Sequence, residues 1–454
     1  MRRDVRLIRN PVSVAGMVLT TISAVLFLVV FFADLFGFHT NPYIGIVFFL
    51  LLPGLFLVGL VLLPVGTWIE RRRRVAGRPS ELWPRIDLND PSQRRTAVLI
   101  FALTMANIVV VSLAAYRGVE YMDSVEFCGQ VCHSVMKPEF VAHQDAPHAH
   151  VACVQCHTSP GATGYARSKV SGIGQVFAVA SDTFPRPIRA PVESLRPASD
   201  TCERCHWPER LHGDKVKRVY EYADDEQNSE TVTTLRLHVG GGSARLGVAT
   251  GIHWHMNVAN EVDYIATDDE RQVIPYVRVK DRFGNVREYF AEGAAPDQFA
   301  AVVRRRMDCM DCHNRPSHST APSAERAVDA VIARGDIPKT LPFVRREAVK
   351  ALKAPHANEG AALEAIARAL REFYRGDYQK VFETRRQDVE QAVTGTQGVY
   401  RRSVFPEMNV GFGTYPNHIG HVNAPGCFRC HDDSHTTTDG KTISQDCETC
   451  HTIE

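Results

Sequence analysis

Three uncharged stretches within the first 116 residues and 12 cysteines confined to the remainder predict the fold class. It is three N-terminal transmembrane α-helices followed by a domain that is mostly α-helical and irregular. Inside that domain, short β-branched runs predict a β-hairpin-rich insertion and a later 3.6-residue period predicts a helical spacer.

The helices are expected over about 12–36, 43–66 and 96–116, each long and apolar enough to cross a bilayer. Arg2, Arg3, Arg6 and Arg9 precede the first, as in a signal peptide. Its apolar run is longer than a signal core and no small-residue cleavage site follows at 37–42, so it reads as a retained helix. The N-terminal tail holds four arginines, the loop at 67–95 holds eight, and the loop at 37–42 holds none. The positive-inside rule then puts the N-terminus in the cytoplasm and everything after Tyr116 on the outer side of the membrane. Residues 1–95 carry 12 basic and 6 acidic side chains, leaving 40 and 45 for the rest, so nothing suggests nucleic-acid binding. The arginine-rich loop is a topology signal that also meets anionic membrane lipid.

Every cysteine belongs to a close pair followed at once by histidine: Cys128/Cys132-His133, Cys153/Cys156-His157, Cys202/Cys205-His206, Cys309/Cys312-His313, Cys427/Cys430-His431 and Cys447/Cys450-His451. Five read C-x-x-C-H, the attachment signature of haem c, whose two vinyl groups take the thiols while the histidine ligates the iron. The first is one residue longer and rests on context. Disulfides or zinc sites would explain paired cysteines. Neither explains six histidines, since with 19 His in 454 residues one such placement has a chance of only about 4%. The second part is therefore expected to be a multihaem cytochrome c domain with six covalently bound haems.

Twelve further histidines lie outside the membrane region, and a second imidazole on each iron would make low-spin electron-transfer haems. His148, His212, His318, His421 and His435 lie close to attachment motifs, and His253 and His255 form the run Gly-Ile-His-Trp-His. In a strand the last two would share one face, one of them as second shell. Met136, three residues after His133, is either core filler or a thioether ligand to the first haem iron in place of His133.

The segment 128–160, with its Cys-His…Met run and Pro147-His148 before Cys153-Val-Gln-Cys156-His157, resembles the NapC/NirT family of membrane-anchored quinol dehydrogenases. Segments 201–207, 251–255, 307–316 and 426–431 resemble the longer ImcH-like inner-membrane cytochromes of extracellular electron transfer. The resemblance implies that the first haem lies near the membrane, takes Met136 as ligand and receives electrons from (mena)quinol. It also implies that Lys169 matches the family's quinol-site lysine. The chain departs from the NapC/NirT pattern in having three helices, an extra residue between Cys128 and Cys132, and no acid where relatives place an aspartate near the first iron. The residues around Lys169 read independently as an interfacial helix over 161–180, in which a lysine also suits a lipid-headgroup contact.

The expected organisation is a membrane domain at 1–116, a NapC/NirT-like domain with haems 1–3 at 117–214, the β-rich insertion at 215–300, the haem 4 segment at 301–322, the helical spacer at 323–401, and haems 5–6 at 402–454. In the spacer, Asn358 caps a helix that Gly376 ends, with Leu363, Ile366, Leu370 and Phe373 on one face, and the spacer separates the fourth haem from the last two. The leading functional reading is a quinol dehydrogenase that passes electrons from the quinol pool to periplasmic c-type cytochromes in anaerobic or extracellular respiration. A terminal reductase of nitrite or hydroxylamine, a haem subunit of a larger redox complex, and a homo-oligomer stay open.

Overall fold

The computed structural model describes residues 11–35, 52–76, 87–131, 133–158, 161–191, 196–207, 213–241, 251–256 and 260–454. The chain divides into two bodies, 1–131 and 132–454.

The first body holds helices α1 (Pro11–Leu35), α2 (Leu52–Val75) and α3 (Pro91–Met122), all long and apolar enough to cross a membrane. The second extends past residue 66 and carries Arg71–Arg74 in its last turns, with Arg72 over the Trp68 ring at 4.2 Å. Residues 36–51 lie outside the described residues. α1 and α2 meet at Gly16 and Gly59, where a Cβ on Gly16 would come within 2.8 Å of the Gly59 carbonyl oxygen. Small residues permit that approach, and van der Waals contact then holds helices that gain nothing from hiding apolar surface in lipid. α3 starts before its apolar run because Asp90 caps it, accepting from the Ser92 N–H at 2.9 Å, with Pro91 in the first turn. Ser124 then accepts from the Phe127 N–H at 3.0 Å and opens a π-turn, Phe127–Val131, that carries Cys128.

The second body begins with α4 (His133–Gln144), the cysteine turn α5 (Cys153–His157), α6 (Gly161–Ala180) and a short turn α7 (Ala198–Thr201). Strands β1 (Lys215–Tyr222) and β2 (Glu230–Leu237) form a hairpin in register Lys215↔Leu237. β3 (Glu261–Ile265), β4 (Tyr276–Lys280) and β5 (Val286–Phe290) form an antiparallel meander. Neither sheet is closed locally. β6 (Arg305–Arg306) adds to β3, and the C-terminal β7 (His451–Ile453) adds to β2, giving the orders β5-β4-β3-β6 and β1-β2-β7. Thus the last cysteine motif is pinned to a hairpin more than 200 residues earlier, with the His238 N–H donating to the Cys450 carbonyl at 2.9 Å.

After the fourth cysteine turn, α8 (Cys309–Cys312), come α9 (Ala324–Ala333), α10 (Val344–Lys353), α11 (Glu359–Asp377), α12 (Gln379–Thr384) and α13 (Arg386–Ser403). Val328, Ile337, Leu341, Ile366, Leu370 and Tyr374 are among its fully buried core residues. Asn358 caps α11, accepting from Ala361 N–H at 2.9 Å, and the helix runs one residue past Gly376. Its buried face is Ala362, Ile366, Ala367, Leu370 and Tyr374, with Leu363 and Phe373 at its margin, because Tyr374 turns inward to donate to the Pro342 carbonyl at 2.9 Å.

Candidate cofactor centres

Five of the motif histidines each lie about one metal ion's width from a second histidine. The ring centroids are 6.2 Å apart for His157 and His318, 6.0 Å for His206 and His148, 6.3 Å for His313 and His253, 5.8 Å for His431 and His255, and 6.1 Å for His451 and His421. An imidazole nitrogen lies ~1.1 Å from its ring centroid and a metal–nitrogen bond is ~2.0 Å, so two imidazoles on opposite sides of one ion sit about 6 Å apart. The histidines meet in such pairs. Among the described residues no group of three or more His, Cys, Asp or Glu is arranged around a metal position, as zinc bound by protein alone would require.

Hydrogen bonding chooses which ring nitrogen is free. A carbonyl oxygen can only accept, so an Nδ1 facing one carries the proton and leaves the Nε2 lone pair available. Nδ1 donates to the Pro316 carbonyl from His148 (3.3 Å), to Val239 from His253 (2.9 Å), to Ile252 from His255 (2.8 Å), to Glu139 from His318 (3.1 Å), and to Ser444 from His431 (2.8 Å). Partial burial holds His255 and His318 below the ordinary imidazole range, outweighing the Glu139 carboxylate beside His318. They stay neutral, the form that ligates. His451 differs, its buried Nδ1 having no hydrogen-bond partner. These residues fit haem c: the paired histidines would hold its iron between them.

His253 and His255 are not on a strand. They lie on a 3-10 turn, Ile252–Met256, and face two different motif histidines. His435 corrects the sequence-based expectation: its Nδ1 meets Asp432 at 2.8 Å and its Nε2 meets the Ile274 carbonyl at 2.7 Å, so both nitrogens are occupied and the ring is a buried structural pin. His212 lies outside the described residues, as do Cys132 and the side chains of His133 and Lys169. Met136 is half-buried on α4. Two buried histidines are among the twelve further ones but were not singled out by their place in the sequence. His418 is held between the Asp311 carbonyl (3.0 Å) and Gln272 (2.8 Å), while His143 lies 6.3 Å from His318 with Nδ1 unpartnered. Neither adjoins a cysteine motif in sequence, so only packing reveals them.

The cysteine turns are themselves braced. Asp308 caps α8 through the Met310 N–H at 2.8 Å. The buried Asp311 carboxylate accepts from Tyr264 (2.6 Å), Arg271 (2.9 Å), Arg305 (2.9 Å) and its own Asp308 N–H (2.7 Å). Burial pushes the Cys312 and Cys430 thiols up to about 12, so before attachment they persist as thiols.

Cys205 is exposed, as is Cys447, whereas the other described cysteines are half-buried. The reason is its position in the turn Cys202–Arg204, which it ends by donating its N–H to the Cys202 carbonyl at 3.1 Å. Cys202 is the residue of that turn whose thiol meets Cys309 of α8, and Cys205 lies one turn beyond that contact, toward solvent. Positions three apart on a 3-10 turn still share one face, so a haem that bonds Cys202 has Cys205 on the same side.

The chain is 39% identical to the "Cytochrome c-type protein ImcH" of Geobacter sulfurreducens over 455 aligned positions, covering 99% of this chain and 89% of the relative. The chain belongs to the ImcH family. It is accordingly a membrane-anchored c-type cytochrome with covalently bound haem c, built for electron transport. No protein-family model matches the sequence, and no solved structure matches it.

Proposed function

We propose that the chain is a hexahaem menaquinol-oxidising cytochrome that collects electrons at the outer face of the inner membrane and delivers them to periplasmic redox partners. The observation that carries this reading is the set of five histidine pairs, each about 6 Å apart. Bound haem c supplies reversible one-electron chemistry. The protein's part is to attach it through the paired cysteines and to offer two imidazoles at each of the second to sixth sites. Two histidines at each of these five sites would hold the iron between them and would leave no room there for a nitrite or hydroxylamine substrate to bind it.

The first site differs. Cys128 follows α3 by only a few residues, so a membrane-confined donor reaches this site, whereas Cys447 is hundreds of residues away. Met136, on the helix that begins at His133, is the proposed soft ligand there. Oxidation of one quinol would release two electrons, which bound haem c would accept, and two protons on the outer side. Lys169 on α6 is the proposed donor to a quinol oxygen. Reduction of the purified protein by a menaquinol analogue tests the proposal. Lys169→Ala is expected to slow that reduction at least tenfold while leaving haem count and dithionite reduction unchanged. Undiminished quinol rates would remove Lys169 from the site, and a wild-type protein inert to menaquinol would overturn the reading.

A further inference from the structure

Each cysteine turn of the second body is tied to the next one in the chain by a named contact. Between the second and third sites the tie is the buried Arg196, which donates to the carbonyls of Gln155 (3.2 Å) and Thr158 (3.1 Å) on one side and Asp200 (2.6 Å) on the other. Gln155 lies between Cys153 and Cys156, and Asp200 just precedes Cys202. Between the third and fourth sites the Cys202 sulfur lies against that of Cys309, and the Asp308 carboxylate accepts from the Ala198 N–H.

The fourth and fifth sites are joined twice. Arg429, between Cys427 and Cys430, donates to the Asp311 carbonyl, between Cys309 and Cys312, at 2.8 Å, and also to the Arg271 carbonyl at 2.8 Å. The turn Ile252–Met256 presents His253 to His313 and His255 to His431, so one short turn serves both sites. At the last joint the His421 ring stacks on Phe428 of the fifth turn at 4.1 Å while facing His451 of the sixth at 6.1 Å. His318 reaches back from the fourth turn to His157 of the second, but it is five residues past His313, a reach of up to about 17 Å, and so needs no direct contact between those two turns.

From these joints we infer that sites two to six form one unbranched row in chain order, in which an electron entering at the second site leaves at the sixth. A row makes every interior haem obligatory, whereas a cluster would offer detours. The inference rests on the two-imidazole reading of the sites, but not on the identity of the donor.

The test uses the oxidised full-length protein and no quinol. The low-spin EPR signal of the sixth haem is identified as the one lost in Cys447→Ala/Cys450→Ala. In Cys427→Ala/Cys430→Ala, with mass showing one haem fewer, that signal is expected to lose its magnetic broadening. In Cys153→Ala/Cys156→Ala it is expected to be unchanged. The opposite pattern overturns the row. Where a deletion blocks maturation, His255→Met keeps the haem attached and raises the fifth haem's potential. The apparent potentials of the fourth and sixth haems are then expected to shift, and that of the second to hold. A shift of the second equal to that of the sixth would also overturn the row. A high-spin spectrum in the wild type would instead defeat the two-imidazole reading itself.

Discussion

His253 and His255 are two residues apart, which in a strand would aim both side chains at one face and in a helix with three residues per turn aims them about 240° apart. The backbone takes the second form, and so the two rings face His313 and His431 separately. His253→Met and His255→Met are therefore each expected to move one haem equivalent to higher potential in a spectroelectrochemical titration, and the double variant two. A double variant that matches either single one would mean that both serve the same iron. His418 illustrates the other fate of a buried histidine: burial and the nearby Arg429 guanidinium lower its pKa to about 4, from an ordinary 6.5. A depressed folded value favours the neutral form, so the folded protein binds fewer protons than the unfolded one between those values. Its contribution is complete above pH 6.5 and is lost as pH falls toward 4. Thermal melts of His418→Gln should show a flatter decline over that window than the wild type. Asp311 is a third case, since its removal leaves Tyr264, Arg271 and Arg305 without their shared acceptor. Asp311→Ala is expected to cost about 3 kcal/mol in denaturant unfolding, the cost of breaking a buried pair.

At the scale of elements, the helical segment was read from its period as a spacer between the fourth and last two sites, and as an element its existence, its Asn358 cap and its apolar face were all legible. Its separating role was not: Arg429 joins the fourth and fifth turns directly, and the helices α9 to α13 form a core of their own. Leu370→Ala should cost about 3 kcal/mol through the cavity it leaves, while the haem absorption and EPR spectra stay as in the wild type. A loss of low-spin signal in that variant would mean that the helices brace the haem sites after all. The β-rich stretch was likewise visible as short alternating strands. That β6 and β7 complete its two sheets was not, because a strand of two or three residues has no periodicity to detect and pairs only where a distant edge is offered.

Across the whole molecule, the asymmetry of arginines argues for an outward second body, because lysine and arginine near helix ends resist translocation. Fusion of alkaline phosphatase to Glu454 is expected to give active enzyme in cells. An inactive but stable fusion would place the C-terminus inside. The same scale would govern electron flow, since with a haem attached at each cysteine pair, as proposed, the path becomes a matter of which turns touch. Those contacts run between residues as far apart as Asp311 and Arg429, or Leu237 and His451.

The amino-acid sequence alone determined the class of this protein. Covalent attachment needs two thiols and an imidazole at fixed short spacing, and a bilayer needs uncharged runs of fixed length, and both requirements are local enough to be written in consecutive residues. Tertiary structure decided which histidine faces which motif, that His435 is a hydrogen-bonded pin, that Cys205 faces solvent while Cys202 meets Cys309, and that one turn presents His253 and His255 to two different motif histidines. Those outcomes depend on which ring nitrogen a distant carbonyl captures and which turns are brought together, and no short stretch of chain records either.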